Sequence, residues 1–335
     1  MQNNWRHARP NTIQRYKLGS NLSIKSLAIK GNILVVGYSN QTVNIFDIDS
    51  QTLKLKFSRT YHIPIYQDIC PIAKVTALVF FCRECKVIDI EGECGVFTVS
   101  SNSGPISSIS ISRNILAIGK CNGFLELYNW KNKSKLFSAN IKSKEIRATS
   151  IFPLSETLIS VIVDHELLIL QILGSTFKVL YSDQIGYTEF LSISKPSMSI
   201  WKQNTPYDFD VSQPYPNLKY CLVINFSNHL FRYFFSFEKG TLKYLSQRYT
   251  NLGPFGCLFA SPSRAIFPQN TTKKAINIYN FSNPEFPEES ITELFPKCNN
   301  DETDVGQISV AGSNINFLVI GYTTGLLEFF WFDPN

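Results

Sequence analysis

Asn114–Trp130 reads NILAIGKCNGFLELYNW: an apolar run that ends in Gly119, a polar turn at Cys121-Asn122-Gly123, and a second run that ends in aromatics. Two short β-prone runs separated by Asn-Gly read as a β-hairpin. The pattern occurs twice more, as NILVVGYSNQTVNIFDI at Asn32–Ile48 and NFLVIGYTTGLLEFFWF at Asn316–Phe332. Gly37, Gly119 and Gly321 align, and so do the turns Ser39-Asn40-Gln41, Cys121-Asn122-Gly123 and Thr323-Thr324-Gly325 and the aromatics Phe46, Tyr128 and Phe330. Three matches with common break points mark an internal repeat.

The spacing of the repeat sets the fold class. Gly37 and Gly119 lie 82 residues apart, two units of about 41, and repeats of about 40–45 residues are those of β-propeller blades. The 202 residues from Gly119 to Gly321 hold four blades of about 50 residues or five of about 40. Taking four gives an all-β, seven-bladed β-propeller. Intermediate inner strands are expected at Val75–Phe81, Arg147–Phe152, Thr188–Ile193 and Gly256–Ala260. The fourth, fifth and sixth blades continue at Thr157–Val163 and Leu167–Ile172, at Tyr220–Asn225 and Leu230–Phe235, and at Arg264–Pro268 and Ala275–Tyr279. Thr52–Ser58 is the expected outer strand of the first blade. The last repeat lacks one, and Thr12–Leu18 (TIQRYKL) is placed to complete it, which removes an exposed sheet edge. The propeller then spans 11–335 behind a linker at 1–10. Two stretches interrupt the rhythm: a proline-containing loop at 197–218, and an insertion at 283–306 with seven acids against Lys297 alone. The latter reads as a solvated insertion or as a partner-binding loop.

Composition narrows the setting. Of 335 residues 44% are hydrophobic and 17% charged, enough apolar surface for a sizeable core. Met1–Arg15 offers no apolar leader. The most apolar stretch, Leu158–Leu173, is broken by Asp164, His165 and Glu166, so no membrane span is expected and the compartment is expected to be cytoplasmic, nuclear or both. Lys and Arg number 32 against 26 Asp and Glu, a net +6. Apart from Lys131–Lys135 and Lys142–Arg147 the bases are scattered, which argues against nucleic acid and permits an acidic protein partner. Eight widely spaced cysteines fit reduced thiols rather than a disulfide framework.

The order of strand, glycine, polar turn, strand and aromatic resembles the WD-repeat family of propellers. In that family a turn aspartate, a Trp ending the third strand and a Gly-His pair form a structural hydrogen-bond network. Here Asn40, Asn122 and Thr324 stand at the turn position and Phe46, Tyr128 and Phe330 at the Trp position. Only Asp47 follows its aromatic, and no Gly-His pair occurs, so the repeats are divergent. Asn3-Asn4-Trp5-Arg6 is similar to the junction of F-box/WD-repeat proteins, where an Asn-Trp-Arg segment joins the F-box helices to the propeller. That resemblance implies the substrate-recognition module of a ubiquitin ligase receptor, with Trp5 as the linker anchor. The cullin-ligase adaptor would then be reached through an F-box segment upstream of Met1.

Catalytic constellations are sparse. His7, His62, His165 and His229 stand in separate contexts, Cys82, Cys85 and Cys94 make half of a zinc spacing, and neither a P-loop nor a G-x-G-x-x-G or G-x-S-x-G motif occurs. No enzyme activity, metal or cofactor is expected. Propellers without chemistry bind partners on the rim where the inner strands begin. Lys25, Lys74, Lys144 and Arg147 fall there, with Asn40, Asn122 and His165 in the adjoining turns. Arg and Lys at such a rim suit an acidic or phosphorylated peptide, or are ordinary solvated charges.

Overall fold

In the computed structural model, residues 12–17, 22–30, 32–49, 52, 54–62, 66–72, 75–80, 84–89, 96–100, 104–112, 114–152, 155, 157–185, 196–202, 220–226, 229–238, 241–249, 259–260, 264–268, 276–280, 291–294, 307–313 and 317–331 are described. Among them there is no helix, and 28 strands form seven four-stranded antiparallel sheets, an all-β propeller arrangement. The chain divides into two compact units, the first of 1–62, 202–236 and 244–335, the second of 63–201 and 237–243.

Three sheets follow one another in the first unit. One joins β22 (Phe259–Ala260), β23 (Arg264–Pro268), β24 (Ile276–Asn280) and β25 (Ile291–Leu294). The next is ordered β1-β28-β27-β26, from β1 (Thr12–Lys17), β26 (Ile308–Ser313), β27 (Phe317–Tyr322) and β28 (Leu326–Trp331). The third joins β2 (Ile24–Lys30), β3 (Ile33–Tyr38), β4 (Thr42–Ile48) and β5 (Leu55–His62). One apolar cluster, with Ile278 and Phe330, fills the space between the first two. Another, with Ile24, Leu34, Phe46 and Phe329, fills the space between the second pair. The second unit repeats this with three sheets, from β6 (Tyr66–Ile72), β7 (Val75–Phe80), β8 (Glu84–Asp89) and β9 (Val96–Ser100), through β10 (Ile106–Ser112), β11 (Ile115–Lys120), β12 (Phe124–Asn129) and β13 (Ser134–Asn140), to β14 (Ile146–Ile151), β15 (Leu158–Val163), β16 (Glu166–Leu173) and β17 (Thr176–Gln184). The remaining sheet is β18 (Ser197–Lys202), β19 (Tyr220–Phe226), β20 (His229–Glu238) and β21 (Thr241–Tyr249).

The repeated glycine has a steric cause. A Cβ on Gly119 would stand 2.5 Å from Cγ2 of Ile146, which begins the next sheet, and 2.4 Å from Ser108 Oγ. One on Gly321 would stand 3.0 Å from Cγ2 of Ile24 and 2.8 Å from that of Val310. Both isoleucines are fully buried, each contributing roughly 2 kcal/mol of apolar burial.

A second repeated position is polar. Glu126 on β12 accepts from Lys120 Nζ of β11 at 2.7 Å and from Lys135 Nζ of β13 at 2.9 Å. At the matching place on β28, Glu328 is fully buried, accepts from the Tyr322 hydroxyl of β27, and receives Arg15 Nε of β1 at 2.7 Å. In the first repeat Asn44 occupies that place and Thr60 Oγ1 donates to it at 2.8 Å. In each of these sheets an outer-strand side chain reaches a polar residue at the centre of the third strand. Burial would push Glu126 up, but hydrogen bonds from Lys120, Lys135 and Tyr128 outweigh it and hold the carboxyl below its ordinary range. Burial, with the Glu126 charge adding, pushes the Tyr128 hydroxyl up to about 12.

The expected closure is present: β1 pairs with β28 in continuous register from Thr12↔Trp331 to Lys17↔Leu326. Other boundaries differ. Val75–Phe81 is the second strand of its sheet, not the inner one, which is β6. Asp68 and Pro71 obscure β6 in the sequence, and proline is tolerated there because β6 is an edge strand. Ser197–Lys202, placed in a loop, is β18, because the three prolines of that stretch (Pro206, Pro214, Pro216) all come after it. Thr188–Ile193 and the linker at 1–10 lie outside the described residues. The acidic stretch contributes β25. The outer strand expected at Thr52–Ser58 begins only at Leu55, since Thr52 Oγ1 donates to Asp49 Oδ2 at 2.7 Å and closes a turn.

Removing one partner of a buried pair strands the other, so Arg15→Ala is expected to lower the unfolding free energy by about 3 kcal/mol in urea denaturation. Arg15→Ala combined with Glu328→Leu should recover most of that loss. Gly119→Ala is expected to cost about 1–3 kcal/mol by overpacking against Ile146, measured the same way.

Candidate partner-binding site

In four of the sheets the end at which the inner strand begins is built by one recurring backbone bond. The N–H that follows the second strand donates to the carbonyl preceding the first: Ser39 to Ser23 at 2.8 Å, Cys121 to Pro105 at 3.0 Å, Asp164 to Glu145 at 3.2 Å and Thr323 to Gln307 at 2.9 Å. Turns and strand beginnings thus share one end of these sheets.

A β-bulge stands at that end of the inner strands. Pairing jumps from Ile24↔Tyr38 to Ser26↔Gly37, from Ile106↔Lys120 to Ser108↔Gly119, from Ile146↔Val163 to Ala148↔Ile162, and from Ile308↔Tyr322 to Val310↔Gly321. The extra residues are Lys25, Ser107, Arg147 and Ser309. An extra residue leaves the ladder and has its side chain re-aimed. Ser107 Oγ uses this to donate to Ile146 O of the next sheet at 2.6 Å, and Ser309 Oγ to Gly321 O at 2.9 Å. Lys25 and Arg147, selected in the sequence for charge alone, occupy equivalent bulges, Lys25 exposed and Arg147 half-buried.

In the second unit the structure assembles a charged cluster around Arg147. The connection from β13 to β14 carries Lys142, Lys144 and Glu145, and the β15–β16 turn carries Asp164, His165 and Glu166. Lys142 Nζ donates to Glu166 and Lys144 Nζ to Asp164, while His165 Nε2 stands 3.2 Å from Asp164 Oδ1. Ser182 Oγ also donates to Glu166. Gly123 holds the neighbouring turn against this connection: its φ is +84°, a Cβ there would overlap Lys142 O, and its carbonyl accepts Ile141 N–H at 2.9 Å. Asn122 lies in that turn and His165 in the next, so both adjoin the connection. Asp164 adopts the left-handed conformation with φ 57°, which a short polar side chain tolerates in a two-residue turn.

The electrostatics set the ammonium groups outermost. Lys142 and Lys144 side chains are 44% and 63% exposed against 16% and 32% for Glu166 and Asp164. The carboxylates behind orient the lysines, and each ammonium keeps two further donors for an incoming oxygen. The hydrogen bond from Lys144 holds the Asp164 carboxyl below its ordinary value against some desolvation, helped by positive charge at His165, Lys144 and Arg147. At Glu166 burial pushes upward, and hydrogen bonds from Lys142 and Ser182 win. The surface can offer N–H donors to carboxylate or phosphate oxygens.

Of the residues selected from sequence, Lys144, Arg147, Asn122 and His165 come together. Lys25 belongs to the first unit, and Lys74 and Trp5 lie outside the described residues. Lys142, Asp164 and Glu166 were missed as members, although the charge runs KSKE and DHE signal them. Cys85, Cys121 and Cys221 form no disulfide, and burial pushes the Cys221 thiol up to about 12 despite the nearby Arg232. Cys82 and Cys94 are outside the described residues.

No family model matches the chain, and no curated protein matches it. Among solved structures the chain is similar to the crystal structure of the computationally designed Ika8 protein, with 13% identity and a TM-score of 0.57 over 94% of this chain and 98% of that one. At that identity the likeness concerns the fold alone. No helix among the described residues is long and apolar enough to cross a membrane.

Lys144→Ala is expected to raise the Asp164 carboxyl toward the ordinary value of about 3.9, read by NMR titration of the side-chain carboxyl carbon. A depressed carboxylate stabilises the fold fully above its unfolded value and ceases to do so as the pH falls through the lowered one. The stability difference between wild type and variant should therefore be present at neutral pH and vanish in strong acid.

Proposed function

We propose that this chain is a non-catalytic protein-interaction propeller in which each of the seven four-stranded sheets serves as one blade. Its rim takes an acidic or phosphorylated peptide, and its specific role is the substrate-recognition module of an F-box-type ubiquitin ligase receptor. The observation that carries the interaction reading is the pair of exposed lysines, Lys142 and Lys144, held by Glu166 and Asp164 beside the bulged Arg147. Arg pairs bidentately with phosphate and carboxylate, and flanking lysines add point charge. The ligase reading is supported by Asn4-Trp5-Arg6 standing just before β1, the strand that completes the last sheet. No cofactor takes part.

A second reading is a scaffold subunit of another intracellular complex, for trafficking or RNA processing. It is favoured by the acidic stretch 283–306, which offers docking chemistry opposite in sign to the Lys142–Arg147 cluster.

Affinity purification of the endogenous protein, tagged at its C-terminal end so that any segment upstream of Met1 is retained, separates the two. Recovery of a cullin and its adaptor is expected, and a fixed set of unrelated subunits in their place would establish the scaffold. Lys144→Glu with Arg147→Glu should deplete the peptide-bearing partners by about tenfold or more. Undiminished recovery would remove the rim from the function.

A further inference from the structure

The large apolar side chains that remain exposed among the described residues fall at related positions of their own sheets. They are Ile13, Phe57, Leu136, Leu173 and Val179. Ile13, Phe57 and Val179 stand opposite Phe330, Phe46 and Leu170, the same third-strand position of their sheets, and Leu136 is the bulged residue beside Lys135, which stands opposite Tyr128. Leu173 ends β16 at the turn into β17. Leu136, Leu173 and Val179 lie toward the turn between third and fourth strands, the end of their sheets away from the Lys142–Arg147 cluster.

In the second unit these positions form one surface. Phe137 of β13 and Phe177 of β17 meet edge to face at 6.4 Å, a side-chain contact that links the two outer strands. Around that contact Leu136, Leu173 and Val179 are each about half exposed (46%, 51% and 45%). Lys131, Lys133 and Lys178 are also exposed. None of the three pairs with a carboxylate among the described residues; Lys131 lies over the Trp130 ring at 5.7 Å. Lys135 is spent on Glu126. Neither 127–141 nor 167–180 contains an acid. The lysines at the opposite end, by contrast, are matched by Asp164 and Glu166.

We propose that this surface docks the chain onto an anionic lipid membrane, independently of whatever the rim binds. Three observations favour lipid over a peptide partner. The outer strands bulge at Leu136 and Leu180, and a bulged edge is twisted away from accepting an added strand. The cations are lysines, point charges that suit a fluid layer of headgroups, where specific recognition of one group favours Arg. Half-exposed aliphatics interspersed with lysines combine shallow apolar burial with attraction to negative headgroups. The first unit repeats the motif at the same register with Phe57 beside exposed Lys54 and Lys56.

Flotation of the full chain with vesicles tests this. Binding is expected to vesicles of phosphatidylcholine mixed with phosphatidylserine, not to phosphatidylcholine alone, and to fall at high salt. Lys131→Glu, Lys133→Glu and Lys178→Glu together should weaken it by at least about tenfold, with thermal unfolding unchanged. Leu136→Ser with Leu173→Ser should shorten residence while leaving the salt dependence. Absence of flotation with the anionic vesicles, or flotation that survives the lysine reversals, overturns the proposal. So does a triple-lysine variant that loses an acidic protein partner when wild type ignores both kinds of vesicle.

Discussion

Sheets that pack face to face can approach only as closely as their bulkiest contact allows, and here that contact passes through a missing Cβ. Gly119 and Gly321 stand opposite the residue after each inner-strand bulge, and into the space each leaves comes the first isoleucine of the following sheet, Ile146 or Ile24. The bulge and the glycine are coupled. The extra residue shifts the register so that Ser108 and Val310 face the glycines, and it leaves Lys25, Ser107, Arg147 and Ser309 outside the ladder. One packing constraint therefore generates both the apolar seam between sheets and the re-aimed side chains at their rim.

Polar closure takes a different route from that of the WD-repeat family. With no Gly-His pair and no aspartate in the turns of the three repeats, Asn40 folds its side chain onto its own turn, accepting Thr42 Oγ1 at 2.6 Å. The cross-strand polar contact moves to the third strand, where Glu126 and Glu328 are held between a second-strand donor and an outer-strand cation. A buried carboxylate is costly without partners, so each such sheet demands its matching outer strand. For the last sheet the demand falls on Arg15, more than three hundred positions away in sequence, which helps to specify β1 and its register. Apolar packing fills the seams between sheets, while within them these cross-strand contacts supply the polar closure.

Legibility followed local signal. The three repeats with intact glycine and aromatic positions could be read nearly to the residue, and so could the closing strand, because TIQRYK is a strand-like run left over before the first inner strand while the last repeat lacks its outer one. Where an edge strand carries proline or acid, as β6 does with Asp68 and Pro71, the pattern weakens and the neighbouring apolar strand takes its place in the reading. The rim was legible as a place but not as a geometry. Charge picked out Lys144 and Arg147, whereas the bulge that re-aims Arg147 depends on pairing across strands, which no single segment encodes. Glu126 and Glu328 read as ordinary polar alternation in half-buried strands, and only register shows that they are enclosed.

The two ends of the second unit's strands differ in how their charge is used. At the end where inner strands begin, the Lys142 and Lys144 ammonium groups each have a carboxylate behind them, so their positions are fixed and their remaining donors are left for a ligand. At the far end Lys131, Lys133 and Lys178 have no such partner and stand among half-exposed aliphatics. Fixed donors favour a ligand with fixed acceptors, since the entropy of ordering the lysines is already lost in the free protein. Unfixed charges favour a diffuse counter-charge that demands no single geometry. The same antiparallel ribbons thus place a geometrically selective surface at one end and an electrostatically permissive one at the other, separated by the length of a strand of six to nine residues.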